Sequence, residues 1–315
     1  MHTSAVRGYV GVTDQEWYEF LSSRPGLTEV NFWRPRDQRR FGAIEPGEFF
    51  FFKLHAPDNR VVGGGIFVGW ELLPLSAAWE VYGEGNGAAD FMALRRKITS
   101  YASASDDPSR DPEIGCVLLR DVVFFPRSGL AAPPPEFSPN LVQGRSYALD
   151  DTRYGTYFVE LAARILGADI GVDVNWQLHQ GSMFSDPRLR RERLGQKGFQ
   201  AAILTVYHRK CAITGTRIWP ALQAAHIFPV KEGGEHRIDN GLLLRSDVHT
   251  MFDRGYLGVD PDYRLLVSPR LRDDFGNGEQ FYTKAGQVIA LPDRNAHHPR
   301  REFLEWHTEK IFKAS

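Results

Sequence analysis

Cysteine is scarce in this chain of 315 residues: only Cys116 and Cys211, far apart in sequence. Such a pair supplies neither a disulfide framework nor a four-thiolate zinc site, so no structural zinc is expected. An excess of one charge is also missing. The 38 basic and 39 acidic residues leave a net charge of −1, which argues against a uniformly basic nucleic-acid binder and turns attention to local patches. No apolar run approaches the roughly 18 residues a membrane helix needs, and the start lacks the charged-then-apolar order of a signal peptide. No membrane partner and a cytoplasmic location are therefore expected. With 42% hydrophobic and 24% charged residues the composition is that of a globular protein. At about 150 residues per domain, the length suggests roughly two domains.

The first 150 residues read mainly as β structure. A run of aromatics, Phe49 to Phe52, follows the turn Pro46-Gly47, and Val61, Val62, Ile66 and Phe67 surround the glycines Gly63, Gly64 and Gly65. Residues 115–125 have the composition of a buried strand, whereas Phe91, Leu94 and Ile98 are spaced as on a helix. Residues 126–139, with Pro133-Pro134-Pro135, predict a loop or extended segment. The chain divides in this reading into a domain at 1–150, a linker region at 151–184 and a domain at 185–315. Tyr157 to Leu166 has helical spacing, and a closing helix is predicted within Pro299 to Lys313.

One patch is strongly basic. Arg188, Arg190, Arg191, Arg193, Lys197, Arg209 and Lys210 stand against the single acid Glu192, and Leu189, Phe199, Ile203, Leu204 and Val206 recur at roughly helical spacing. Beyond it, Leu222 to Pro229 is followed by Asp239-Asn240-Gly241 and then by Asp247 to Asp253. Locally this reads as strand, turn at Gly233-Gly234, strand and short helix, with Ser246 as N-cap and Gly255 as terminator. His226 closes the first strand. His249 and Asp253, four apart, share one helix face, while Val248 and Phe252 share the neighbouring face that enters the core.

This arrangement resembles the HNH endonucleases, whose ββα-metal module carries a His at the end of the first strand, an Asn before the second and a ligand on the helix. The resemblance covers residues 190–313 at most. It implies His226 as general base, Asn240 as the brace of the loop and of His226, and His249, nine positions after Asn240, as metal ligand joined by Asp253. Ala225 stands where an Asp or His ligand often precedes the base. Fewer protein ligands suit one Mg²⁺ or Mn²⁺ with an octahedral shell completed by water and phosphate. The remaining histidines, among them His236, His297, His298 and His307, are expected in packing or solvent roles.

Asn31-Phe32-Trp33-Arg34, the aromatic strand after Gly47, the glycine run and Trp79 to Tyr82 with Asn86-Gly87 resemble a PUA-superfamily barrel of the EVE type. The fold expected is thus α+β, with an N-terminal PUA/EVE-like β-barrel flanked by helices and a C-terminal HNH module. The resemblance implies a modification-dependent restriction endonuclease acting on double-stranded DNA with modified bases, cytosine-derived ones favoured. Trp33, Trp79 and Tyr82 would offer ring faces to a flipped base and Asn31 and Asn86 its polar edges; Arg34, Arg188, Arg190, Arg191 and Arg193 would meet the backbone. Double-strand cleavage would call for a homodimer or sequential nicking. A modified-nucleic-acid binder with a silent nuclease site and an RNA-directed nuclease remain alternatives.

Overall fold

The computed structural model describes residues 7–35, 39–101, 111–138, 141, 144–149, 151, 153–166 and 195–314. The chain forms two compact units, 1–191 and 192–315. Among the described residues no helix is long and apolar enough to cross a membrane.

The N-terminal unit is built on a six-stranded sheet with spatial order β2-β5-β4-β3-β1-β6. Its strands are β1 (Arg7–Thr13), β2 (Val30–Arg34), β3 (Phe49–Leu54), β4 (Val61–Pro74), β5 (Glu113–Phe124) and β6 (Gly144–Ala148). The β1/β3 pair is parallel and the other pairs antiparallel. Period-two alternation explains the four-phenylalanine run: Phe50 and Phe52 enter one core with α1 (Gln15–Ser22), and Phe49 and Phe51 enter another on the opposite face. That second core is closed by α4 (Gly155–Ile165) through Phe158, Leu161 and Ile165. Gly64 permits this packing, because a Cβ there would lie 2.6 Å from Ile165 Cδ1. Residues 155–165 therefore belong to the N-terminal core, which corrects the linker expected over 151–184; most of the remainder of that span lies outside the described residues. The other helices of the unit are α2 (Leu75–Tyr82) and α3 (Phe91–Thr99), the latter capped by the Asp90 carboxylate.

The C-terminal unit opens with α5 (Gln196–Val206), which buries Phe199, Ile203 and Leu204. The hairpin β7 (Leu222–His226) and β8 (Gly241–Arg245) follows, then α6 (Ser246–Asp253). The ribbon of β9 (Leu257–Val259) and β10 (Leu265–Val267) comes next, with α7 (Arg270–Phe275), α8 (Glu279–Tyr282) and α9 (Arg301–Lys310). The core joins Leu242, Leu243 and Leu244 to Val248, Phe252 and Leu304, all fully buried. Ser246 is the first helical residue of α6, not its cap; Arg245 holds the N-cap position and pairs with Asp247 at 2.6 and 2.7 Å. The molecule is α+β, with a mixed-sheet N-terminal unit and a ββα module in the C-terminal one.

Candidate active site

β7 and β8 pair so that His226 lies opposite Gly241. A Cβ at Gly241 would sit 2.8 Å from Phe199 Cζ, so only glycine leaves room for the Phe199 ring. That ring stacks on the His226 imidazole, with centroids 4.2 Å apart and planes 16° from parallel. His226 Nε2 lies 3.0 Å from His236 Nδ1. Burial, with the neighbouring His236 and His249, lowers the His226 pKa to about 4, so the imidazole is neutral at physiological pH.

The strand-to-strand loop is held by Asn240, which is 0% exposed. Its Oδ1 accepts from the Phe228 amide at 2.9 Å, and its Nδ2 donates to the carbonyls of Phe228 and Glu235 at 2.9 and 3.0 Å. Asn240 thus braces the loop's backbone. Among the described residues these bonds do not reach the His226 ring, against which Phe199 and His236 are placed, and this corrects the expected hold of Asn240 on His226. Beside Asn240, burial opposes ionisation of Asp239, but Arg237 and Arg300 hydrogen-bond to it and keep its pKa below the ordinary value. This pair of arginines ties the loop to the start of α9.

On α6, Val248 and Phe252 are fully buried while His249 and Asp253 share the neighbouring face, with His249 Nε2 3.4 Å from Asp253 Oδ2. Gln223 Oε1 lies 2.8 Å from His249 Nδ1. A neutral ring with its proton on Nδ1, facing that amide oxygen, would leave the Nε2 lone pair to a cation, the arrangement common around metal-bound histidines. Burial raises the Asp253 pKa, opposed by His249 and Lys231. Among the described residues no group of three or more His, Cys, Asp or Glu side chains is arranged to hold a metal. A two-donor His–carboxylate pair suits a hard divalent cation whose remaining positions go to water and phosphate; it does not suit a closed tetrahedral zinc. Ala225 is fully buried and adds no donor.

His236 and Gln223 were not singled out by sequence as site residues. His236 stands in a loop without periodic signal, and Gln223 lies three positions before His226 on the same strand. His307 does pack: its ring lies 3.8 Å from Phe252, with Nε2 3.1 Å from the Phe252 carbonyl, and burial lowers its pKa to about 4. Cys211 is fully buried, as expected of a small hydrophobe, and its Sγ accepts from the Arg245 and Thr214 amides at 3.3 and 3.4 Å. A cavity of about 310 Å³ in this unit is lined by residues 210–215, 265, 284 and 287–290; none of the site side chains faces it.

In the N-terminal unit the structure brings Asn31, Asn86, Trp33 and Cys116 together. Asn31 Nδ2 donates to Asn86 Oδ1 at 2.9 Å and approaches Cys116 Sγ at 3.3 Å, and Trp33 Nε1 donates to the Asn86 carbonyl at 2.8 Å. Asn86 also donates to the carbonyls of Ala78 and Gly83. Its side chain is fully employed, and both asparagines are 0% exposed. They are therefore an internal scaffold, a correction to their expected place as open polar edges. Tyr82, at 1% exposure, is equally enclosed, whereas Trp33 and Trp79 are half-buried. The Arg34 guanidinium lies 5.9 Å over the Phe41 ring. Arg188, Arg190, Arg191 and Arg193 lie outside the described residues.

No curated protein sequence matches the chain. Among solved structures, the ASCH protein of Zymomonas mobilis aligns with 14% identity over 49% of this chain and 94% of its own, at a TM-score of 0.34. The modification-dependent restriction endonuclease TagI aligns with 12% identity over 91% of this chain and 77% of its own, at a TM-score of 0.29. Residues 211–260, which span the β7–β8 hairpin and α6, match the model of the HNH endonuclease family, and the chain carries an HNH endonuclease domain there.

Proposed function

We propose that the chain is a divalent-metal-dependent endodeoxyribonuclease directed to double-stranded DNA with modified, cytosine-derived bases. In this reading the N-terminal unit recognises the base and the HNH domain hydrolyses the strand. The observation that carries the nuclease half is one hairpin and helix joining a neutral half-buried imidazole, a loop pinned by Asn240 and the His249–Asp253 pair. Neutral His226 takes a proton from water, the water oxygen bonds to phosphorus as the P–O3′ bond breaks, and the leaving oxygen takes a proton from solvent. An anionic phosphate beside His226 stabilises the imidazolium and raises its pKa from about 4 toward neutrality. His249 Nε2 and Asp253 Oδ2 would hold Mg²⁺ or Mn²⁺, which supplies charge neutralisation on the phosphate when bound.

For the reading half, the half-buried Trp33 and Trp79 offer the ring faces, and Trp33 is tied to the Asn31–Asn86 pair by its Nε1 bond to the Asn86 carbonyl. Arg34 and the arginines at 188, 190, 191 and 193 supply backbone contacts that carry no sequence information. One HNH site cuts one strand, so a double-strand break takes two chains or two visits.

The test is digestion of otherwise identical duplexes carrying cytosine, 5-methylcytosine or 5-hydroxymethylcytosine, with a matched RNA, in Mg²⁺, Mn²⁺ or chelator. Metal-dependent cleavage confined to modified DNA supports the reading. Equal cleavage of all duplexes removes the base reader, and preferential RNA cleavage moves the substrate. Tight binding of modified DNA without cleavage would make the chain a reader with a silent nuclease, a second reading that Ala225 and the two-donor site favour.

A further inference from the structure

We infer that His236 is a positioning residue for His226: its Nδ1 accepts the N–H of His226 Nε2 and thereby leaves His226 Nδ1 bare to take the proton. The inference rests on the reading of His226 as general base. The two nitrogens are 3.0 Å apart, and a hydrogen bond between two neutral imidazoles holds one proton. If His236 donated it, His226 would carry its own proton on Nδ1 and its remaining lone pair would be occupied, so it could accept nothing from water. If His226 donates it, Nδ1 is bare. After proton transfer His226 is an imidazolium with both N–H groups, and its Nε2–H bond to neutral His236 becomes charge-assisted and stronger. One arrangement is thus compatible with a base, and it gains strength as charge develops.

The surroundings hold both rings in register. Phe199 stacks on His226 and its ring centroid is 5.8 Å from that of His236, so one aromatic surface limits rotation of the pair. The His236 backbone sits between two anchors, the Glu235 carbonyl bonded to Asn240 and the Arg237 side chain bonded to Asp239. Upstream, a Cβ at Gly234 would lie 2.0 Å from the Phe228 carbonyl oxygen, so the loop turns in a path open to glycine.

The test compares His236→Leu, which removes the acceptor, with His236→Asn, whose Oδ1 can stand where Nδ1 stood. His236→Leu should slow single-turnover cleavage by about 10- to 100-fold, the range found when the hydrogen-bond partner of a metal-bound histidine is removed, with DNA affinity and metal half-saturation unchanged. His236→Asn should recover most of the rate. Equal losses in both variants, or a wild-type rate in His236→Leu, would overturn the inference. Should either variant misfold, ¹⁵N imidazole spectra of the wild-type chain decide: a proton on His226 Nε2 supports it and a proton on Nδ1 overturns it. His226→Ala is measured alongside. Wild-type cleavage by that variant removes the general-base reading itself, whereas loss in His226→Ala with none in His236→Leu removes only the role of His236.

Discussion

Both units of this chain enclose asparagine side chains completely, and they use them to opposite ends. In the N-terminal unit Asn31 and Asn86, 55 positions apart, bond to each other, and Asn86 spends its remaining donors on nearby carbonyls. In the C-terminal unit Asn240 bonds to a backbone five and twelve positions away, and the loop it secures carries half-exposed rings. The first network joins distant segments and turns its polarity inward. The second joins near neighbours and pins the loop that follows His226, while Asp253 on α6 stays exposed. A buried polar residue therefore marks a link between distant segments in one unit and the brace of a single hairpin loop in the other.

The sharpest way to break the comparison is His226→Ala. Loss of a positioned general base should cost 10² to 10⁴ in cleavage rate, about 3 to 5 kcal/mol, with DNA binding retained; single-turnover kinetics beside a binding isotherm check it. Next comes pH. His307 has its pKa lowered from 6.5 to about 4 in the folded chain, so the unfolded state binds the proton more readily. The stability this contributes is complete above pH 6.5 and is lost as pH falls toward 4, on the order of 3 kcal/mol, read from denaturant midpoints of the C-terminal unit.

The two asparagines should then part company. Asn86→Ala leaves buried partners unpaired at about 1 to 3 kcal/mol for each group, and hydrogen exchange should show the loss around β2 and α2. Asn240→Ala carries a similar cost, but its loss should appear in the 227–240 loop and in the cleavage rate. Matching exchange patterns in the two variants would erase the distinction. Trp33→Ala or Trp79→Ala should remove about 1 to 3 kcal/mol of preference for modified DNA if the rings stack on a base, with circular dichroism confirming that the variants fold. The smallest effect is expected from replacing Arg188, Arg190 and Arg191 by Gln, which should weaken all duplexes alike and flatten the salt dependence of binding.

Much of the C-terminal module was legible because its signals are local. Leu222–His226, Asn240-Gly241 and His249 with Asp253 occupy one hairpin and one helix, where period-two and 3.6-residue spacing place side chains directly. The N-terminal strands around Phe49–Leu54 and Val61–Pro74 were legible for the same reason, and so was the helix capped by Asp90. The assignment of 155–165 to that core was not, since a helix's amphipathic face does not say which unit will cover it.

What the sequence by itself determined was the order of elements, the hairpin ending in His226 and the shared face of His249 and Asp253, because each follows from backbone periodicity within a few residues. Tertiary structure decided the rest. It placed Phe199 under His226, set His236 Nδ1 at 3.0 Å from its ring, turned Gln223 to His249 and closed Asn31 and Asn86 upon each other. These contacts join segments whose separation in space is fixed only once the sheets and helices have packed, and no local spacing encodes that distance.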